Sequence, residues 1–290
     1  MKQISRKIAV AVISLIVLAT LTLYAVSEWR LTRTYSVQPI SLEIPTDAAA
    51  IAEGKRIATV RGCRDCHGDN LAGKTVLEDG AIGNIYASNL TRGVGGVGND
   101  YGSHDFVRAI RHGLKTSGQP IRFMPAMEYY TINDSDVAAL VAYIHSVPAV
   151  DNDPGKTSIG PLGRALWLAG QMDIVAAAEV IPHEAPRPET AVVGSTVEYG
   201  SYLAQGCIAC HTPSFKGGPM PGAAADVPIA ADLTTTGSVG EWTLAEFTAV
   251  LRTGVRPDGS ELNPAMPWPA TQAMTDTELE ALYLFFRSLE

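Results

Sequence analysis

A chain of 290 residues that is 46% hydrophobic and 18% charged is too apolar for a disordered protein and long enough for two ordinary domains. Its net charge of −8 excludes a nucleic-acid binder, whose phosphate contacts demand a basic face. An acidic body suits docking on a basic patch of a protein partner.

The first element is an apolar run. Residues 8–26 hold no charge, proline or glycine, and as a helix they span about 28 Å, close to the thickness of a hydrocarbon core. Lys2, Arg6 and Lys7 precede the run, and no acid occurs before Glu28. The cations hold the N-terminus inside and send the body across the membrane. Residues 1–27 are therefore expected to be a retained anchor. The competing reading is a secretory signal cleaved near Ala25-Val26-Ser27. Residues 28–47 follow as an extended tether punctuated by Pro39 and Pro45.

The remainder is one unit written twice. Cys63-Arg64-Asp65-Cys66-His67 returns as Cys207-Ile208-Ala209-Cys210-His211, and Glu53-Gly54-Lys55-Arg56 returns as Tyr199-Gly200-Ser201-Tyr202. Asn89-Leu90-Thr91 matches Asp232-Leu233-Thr234, Phe106 and Arg111 match Phe247 and Arg252, and Met124-Pro125 matches Met266-Pro267. The repeat predicts two domains of one fold, residues 48–150 and 191–290, joined by a Pro/Gly/Ala-rich linker over 151–190. Each domain is expected to be helical. A short helix precedes the cysteines (47–59 and 196–205), a second runs over 104–112 and 243–252, and an acid-capped third over 134–146 and 276–288. No alternating strand pattern stands out. Leu162–Ala178 reads as a short amphipathic helix between the domains, followed by a strap around Pro182, Pro186 and Pro188. The fold class is thus all-α.

All four cysteines fall in the two Cys-x-x-Cys-His motifs. The spacing sets two thiols on one helical turn, where they can add to the two vinyl groups of one haem while the histidine faces the iron. Zinc would want a second Cys/His pair nearby, and neither half has one. Cys63, Cys66, Cys207 and Cys210 are the expected attachment points for two haem c groups, with His67 and His211 as iron ligands. An electron-transfer haem needs a sixth ligand, and methionine raises its potential. The repeat selects Met124 and Met266. Met127 is a rival in the first half, but proline stands at its counterpart, Pro269. The remaining histidines (His104, His112, His145 and His183) lack counterparts and read as surface or satisfied side chains. Arg111 and Arg252 are possible partners of haem propionates.

Gly-x-Tyr-Leu-Ala before Gly-Cys-x-x-Cys-His, then Asn-Leu-Thr, Met-Pro and Asp-x-Glu-Leu-x-Ala-Leu, resembles the class I cytochrome c domain. The tandem form is similar to membrane-anchored cytochrome c subunits of periplasmic dehydrogenases. The resemblance implies two cytochrome c domains behind a transmembrane helix, on the periplasmic face of a bacterial inner membrane. It implies a dihaem carrier of single electrons, not itself an enzyme, between a dehydrogenase, reductase or oxidase and another carrier. The alternative is a dihaem enzyme such as a cytochrome c peroxidase, which needs an open iron under an acid/base group.

Overall fold

The computed structural model describes residues 2–38, 41–187, 190–219 and 227–290. Pro39, read above as punctuation, and Pro188, read as part of a strap, lie outside the described residues. No proline or glycine interrupts the chain before Gln38, and helix α1 takes in all of Lys2–Thr32. It is long and apolar enough to cross a membrane, and most of its large apolar side chains stand exposed. The helix continues five residues into the stretch expected to be extended. The reason is burial: Ser27 and Leu31 are packed against the body, at 0% and 2% exposure.

Helix α2 (Ala48–Val60) starts where expected, because Asp47 Oδ1 accepts from the backbone N–H groups of Ala49 and Ala50. The first Cys-x-x-Cys-His motif forms the short helix α3 (Cys63–His67). Strands β1 (Lys74–Asp79) and β2 (Gly83–Ala87) then make an antiparallel hairpin, which the sequence reading missed. Every residue of β1 is exposed, so it carries no apolar face to alternate with a polar one. Its turn is built by Asp79, whose Oδ1 accepts from Ala81 and Ile82 N–H.

Helix α4 (Ser103–His112) stops at Gly113, in the left-handed conformation that glycine adopts without strain. The single turn α5 (Ala126–Tyr129) follows, and α6 (Asp134–Ser146) is capped by Asn133.

The stretch between the repeats belongs to the first half. Strand β3 (Ser158–Ile159) extends the hairpin into a three-stranded sheet. The expected helix over 162–178 is instead two pieces, α7 (Pro161–Leu168) and a 3₁₀ segment (Asp173–Glu179), separated by a turn with Gly170 at φ +71°. Neither lies between the halves. They pack on the end of α1 and on the sheet, where Leu31, Ile85, Ile159, Trp167, Val175 and Ala176 close a small third core.

The second half repeats the helices: α8 (Val197–Ala204) capped by Thr196, α9 (Ile208–His211), α10 (Leu244–Thr253), the turn α11 (Trp268–Thr271) and α12 (Asp276–Arg287). Thr243 with Glu246, and Thr275 with Glu278, form reciprocal capping boxes that fix the starts of α10 and α12. Each half has its own hydrophobic core. Those cores rest on one crossing used twice: α2 on α6, and α8 on α12. A Cβ on Gly54 would sit 1.9 Å from the Ala139 carbonyl oxygen, and one on Gly200 would sit 2.0 Å from that of Ala281. Only glycine lets these backbones touch. The crossings set each Cys-x-x-Cys-His motif, a few residues on, against its own core.

Candidate functional site

Both motifs are presented in the same way. The histidine ends a helical turn, and the next residue is left-handed: Gly68 at φ +81° and Thr212 at φ +63°. Thr212, being β-branched, bears strain there. The chain then folds back so that a carbonyl twenty-one or twenty residues on meets the imidazole. His67 Nδ1 donates to Ser88 O at 2.8 Å, and His211 Nδ1 donates to Ala231 O at 2.8 Å. With Nδ1 committed as the donor, Nε2 carries the lone pair and is the nitrogen available to iron. Burial holds both imidazoles below the usual histidine range, so they stand neutral, as a ligand must.

None of the four cysteines is paired in a disulfide. Burial pushes Cys63 up to about 12 and Cys207 up to about 11, so neither ionises near neutrality.

The methionines separate by what they touch. Met124 and Cys63 both pack on the first core, and Met266 and Cys207 both pack on the second. Met127 lies in a different cluster, with Ala126, Ala177 and Ile181. Met266 lines a cavity of about 590 Å³ with Leu262, Pro267 and Trp268, within the size range of ligand pockets. A Cys-x-x-Cys-His turn with an Nδ1-anchored imidazole, and a methionine packed on the same core as the first motif cysteine, form in each half a donor set of the kind that suits a haem.

The two loops that carry these methionines share one shape. Ile121 N–H donates to Gly113 O and Leu262 N–H to Gly254 O, both at 2.6 Å, while Lys115 and Arg256 close the tips onto Gln119 O and Ser260 O. Their surroundings differ. Leu114 is fully buried, whereas Val255 at the same position is 40% exposed.

Arg111 and Arg252 each hold an aspartate, and Arg111 Nε and Nη1 are buried without a partner. Arg111 Nη2 donates to Asp134 at 2.5 Å and Arg252 Nη2 to Asp276 at 2.9 Å, clipping the end of one helix to the start of the last. The unmatched histidines serve packing. His112 Nδ1 meets His183 Nδ1 at 2.9 Å, and burial plus that neighbour lower His112 to about 4. Ser103 bonds His145.

Sequence reasoning missed the contacts that join the halves. Arg56 donates to both oxygens of Glu278 at 2.7 and 2.9 Å. Tyr202 Oη donates to Asp136 at 2.7 Å and accepts from Asn133 Nδ2 at 2.8 Å. Arg61 lies over the Tyr202 ring. Each motif also abuts the other half's methionine-bearing segment. Asp65 lines the Met266 cavity, and the negative charge of Glu128 is felt at Cys207 and Cys210. The alignment of the two lead-ins, which sets Arg56 opposite Tyr202, was the signal that could have found the interface.

Comparison with known proteins agrees with this geometry. The cytochrome c family pattern matches residues 51–148 and again 197–290. The cytochrome c subunit of alcohol dehydrogenase (quinone) from Gluconacetobacter polyoxogenes is 38% identical over 98 residues, which is 31% of this chain and 21% of that protein. The gluconate 2-dehydrogenase cytochrome c subunit of Pantoea cypripedii is 34% identical over 182 residues, 57% of this chain and 38% of that one. A "diheme cytochrome c-type" protein of Cereibacter sphaeroides is 25% identical over 237 residues, 71% of this chain and 74% of its own length. The match thus spans well under half of the dehydrogenase subunits and most of the dihaem protein. With two matched regions, two repeated motifs and two equivalent cores, the chain belongs to the cytochrome c family.

Proposed function

We propose that the protein carries single electrons through two covalently bound haem c groups, one in each half. The supporting observation is the pairing, twice over, of a neutral imidazole whose Nδ1 is anchored to a backbone carbonyl with a methionine on the same core. When bound, each haem supplies an iron that accepts and releases one electron. Cys63 and Cys66 in one half, and Cys207 and Cys210 in the other, hold it. The thiols would hold the haem as thioethers, the Nε2 atoms of His67 and His211 would ligate its iron, and the thioethers of Met124 and Met266 would supply the further ligand. The apolar cores exclude water and keep these donors from rearranging when the charge changes.

We take residues 48–150 and 191–290 as the two domains, with residues 158–179 of the segment between them folded onto the first. The apolar helix acts as an anchor that sets the body on the periplasmic face of a bacterial membrane. Dehydrogenase subunits among the relatives point to a membrane or periplasmic oxidoreductase as electron donor, with a further carrier or oxidase as acceptor. The peroxidase alternative gains no support, since both halves offer a methionine at the same place.

The test is spectroscopic. The isolated holoprotein should contain two haems and show the weak far-red methionine-to-iron charge-transfer band in the oxidised state. A predominantly high-spin spectrum, or rapid turnover of peroxide, would overturn the carrier reading.

A further inference from the structure

We infer that the last turn of the membrane helix is a working part of the first haem site: it locks the loop that presents Met124, whereas the loop that presents Met266 is left free to open. This rests on the reading of Met124 and Met266 as axial ligands.

Two loops of one shape are held differently. The loop from Gly113 to Met124 is held from outside at several points. Glu28, on α1, takes a 2.9 Å hydrogen bond from Arg122, two residues before Met124. Thr32 O, at the end of α1, accepts from Gln119 Nε2 at 3.2 Å, and Tyr35 N–H donates to Gly118 O at 2.9 Å. Phe123 N–H donates to Val175 O in the 3₁₀ segment, which itself packs beneath α1. Phe123 holds a left-handed φ of +61°, a strained conformation that persists only where neighbours impose it.

The helix end is fixed in its turn. The second oxygen of Glu28 binds the buried Arg164, which also donates to Ser27 Oγ at 2.6 Å. Arg30 grips Glu179 with two hydrogen bonds and lies over the Trp167 ring. Glu28 is therefore a bracket with Arg122 on one oxygen and Arg164 on the other. The Met266 loop lacks any such frame among the described residues. Its tip bonds are internal, from Arg256 to Ser260 and Glu261, and Val255, Glu261 and Pro264 are exposed.

A small external ligand such as imidazole or cyanide reaches a six-coordinate haem only after the methionine loop swings away. Its binding rate therefore reports how often the loop opens. Glu28 and Arg122 act through the loop backbone and are positioning residues.

The experiment uses the full-length oxidised holoprotein in detergent, mixed rapidly with imidazole and followed by loss of the charge-transfer band. Wild type should show two phases at least about tenfold apart, the equivalent of one lost hydrogen bond to a charged group. Met266→Ala should remove the fast phase, and Met124→Ala the slow one. Glu28→Ala should accelerate the slow phase about tenfold or more and leave the fast phase unchanged, with Glu28→Gln intermediate. Arg122→Ala and Gln119→Ala, which touch neither Arg164 nor the third core, should move the same phase in the same direction. A single phase in wild type overturns the inference. So does a slow phase that none of Glu28→Ala, Arg122→Ala or Gln119→Ala alters, provided Met124→Ala has removed it. If Met124→Ala leaves both phases intact, the ligand assignment itself has failed.

Discussion

Arg56 and Tyr202 occupy the same position in the two repeats, and each reaches across the interface to the first turn of the other half's last helix. Arg56 meets Glu278 and Tyr202 meets Asp136, which are themselves equivalent positions. The halves are thus joined by one contact made twice, once as an ion pair and once as a neutral donor on a carboxylate.

The two versions should differ in cost. Arg56→Ala strands Glu278, only 4% exposed, without its cation and should destabilise the holoprotein by about 3 kcal/mol. Tyr202→Phe removes a hydroxyl from Asp136 and should cost about 1–2 kcal/mol. Denaturant unfolding of both variants checks the order, and an equal loss would contradict it.

Gly54→Ala and Gly200→Ala should each destabilise by about 1–3 kcal/mol, despite alanine's better helix propensity, because the new methyl meets a backbone carbonyl. Gly194→Ala, whose Cβ would make an ordinary 3.6 Å contact with Thr196, is the control and should be near neutral. Thermal unfolding decides.

Met124→Ala and Met266→Ala should each remove about half of the charge-transfer intensity and lower one of two midpoint potentials. Met127→Ala should do neither, since Met127 packs with Ala177 and Ile181 away from the first core. A redox titration with optical detection distinguishes them.

Burial raises the Glu128 carboxyl to about 7, against a downward pull from Arg61. The folded state therefore binds this proton more tightly than the unfolded one, whose value lies near 4.5. The stability it brings is complete below about pH 4.5 and is lost as pH rises through 7. Glu128→Gln should gain up to about 3 kcal/mol over wild type above pH 7 and little at about pH 4. A gain independent of pH would show that Glu128 acts through something other than its charge.

Much of this was legible in the residues. Asp47, Thr196, Thr243 and Thr275 mark helix starts with the side chains that cap them. Three things were not legible. A fully exposed hairpin leaves no periodic trace. The aspartate partners of Arg111 and Arg252 lie over twenty residues away, so those ion pairs left no local signal. The segment 151–190 looked like a linker because its apolar residues Ile159, Trp167, Val175 and Ala176 are completed by Leu31 and Ile85, which only the fold brings to them.

The docked end of α1 changes how such a body would meet its partners. A body on a flexible leash of twenty residues would roam a shell of about 25 Å and present every face in turn. With α1 in a bilayer, a body gripped through Ser27, Glu28, Arg30 and Leu31 would have one height above it and one tilt. Lateral diffusion and spin about the helix axis would be the motions left to it. Encounter would then become a search in two dimensions, in which a partner anchored in the same membrane would meet the same band of surface at every collision.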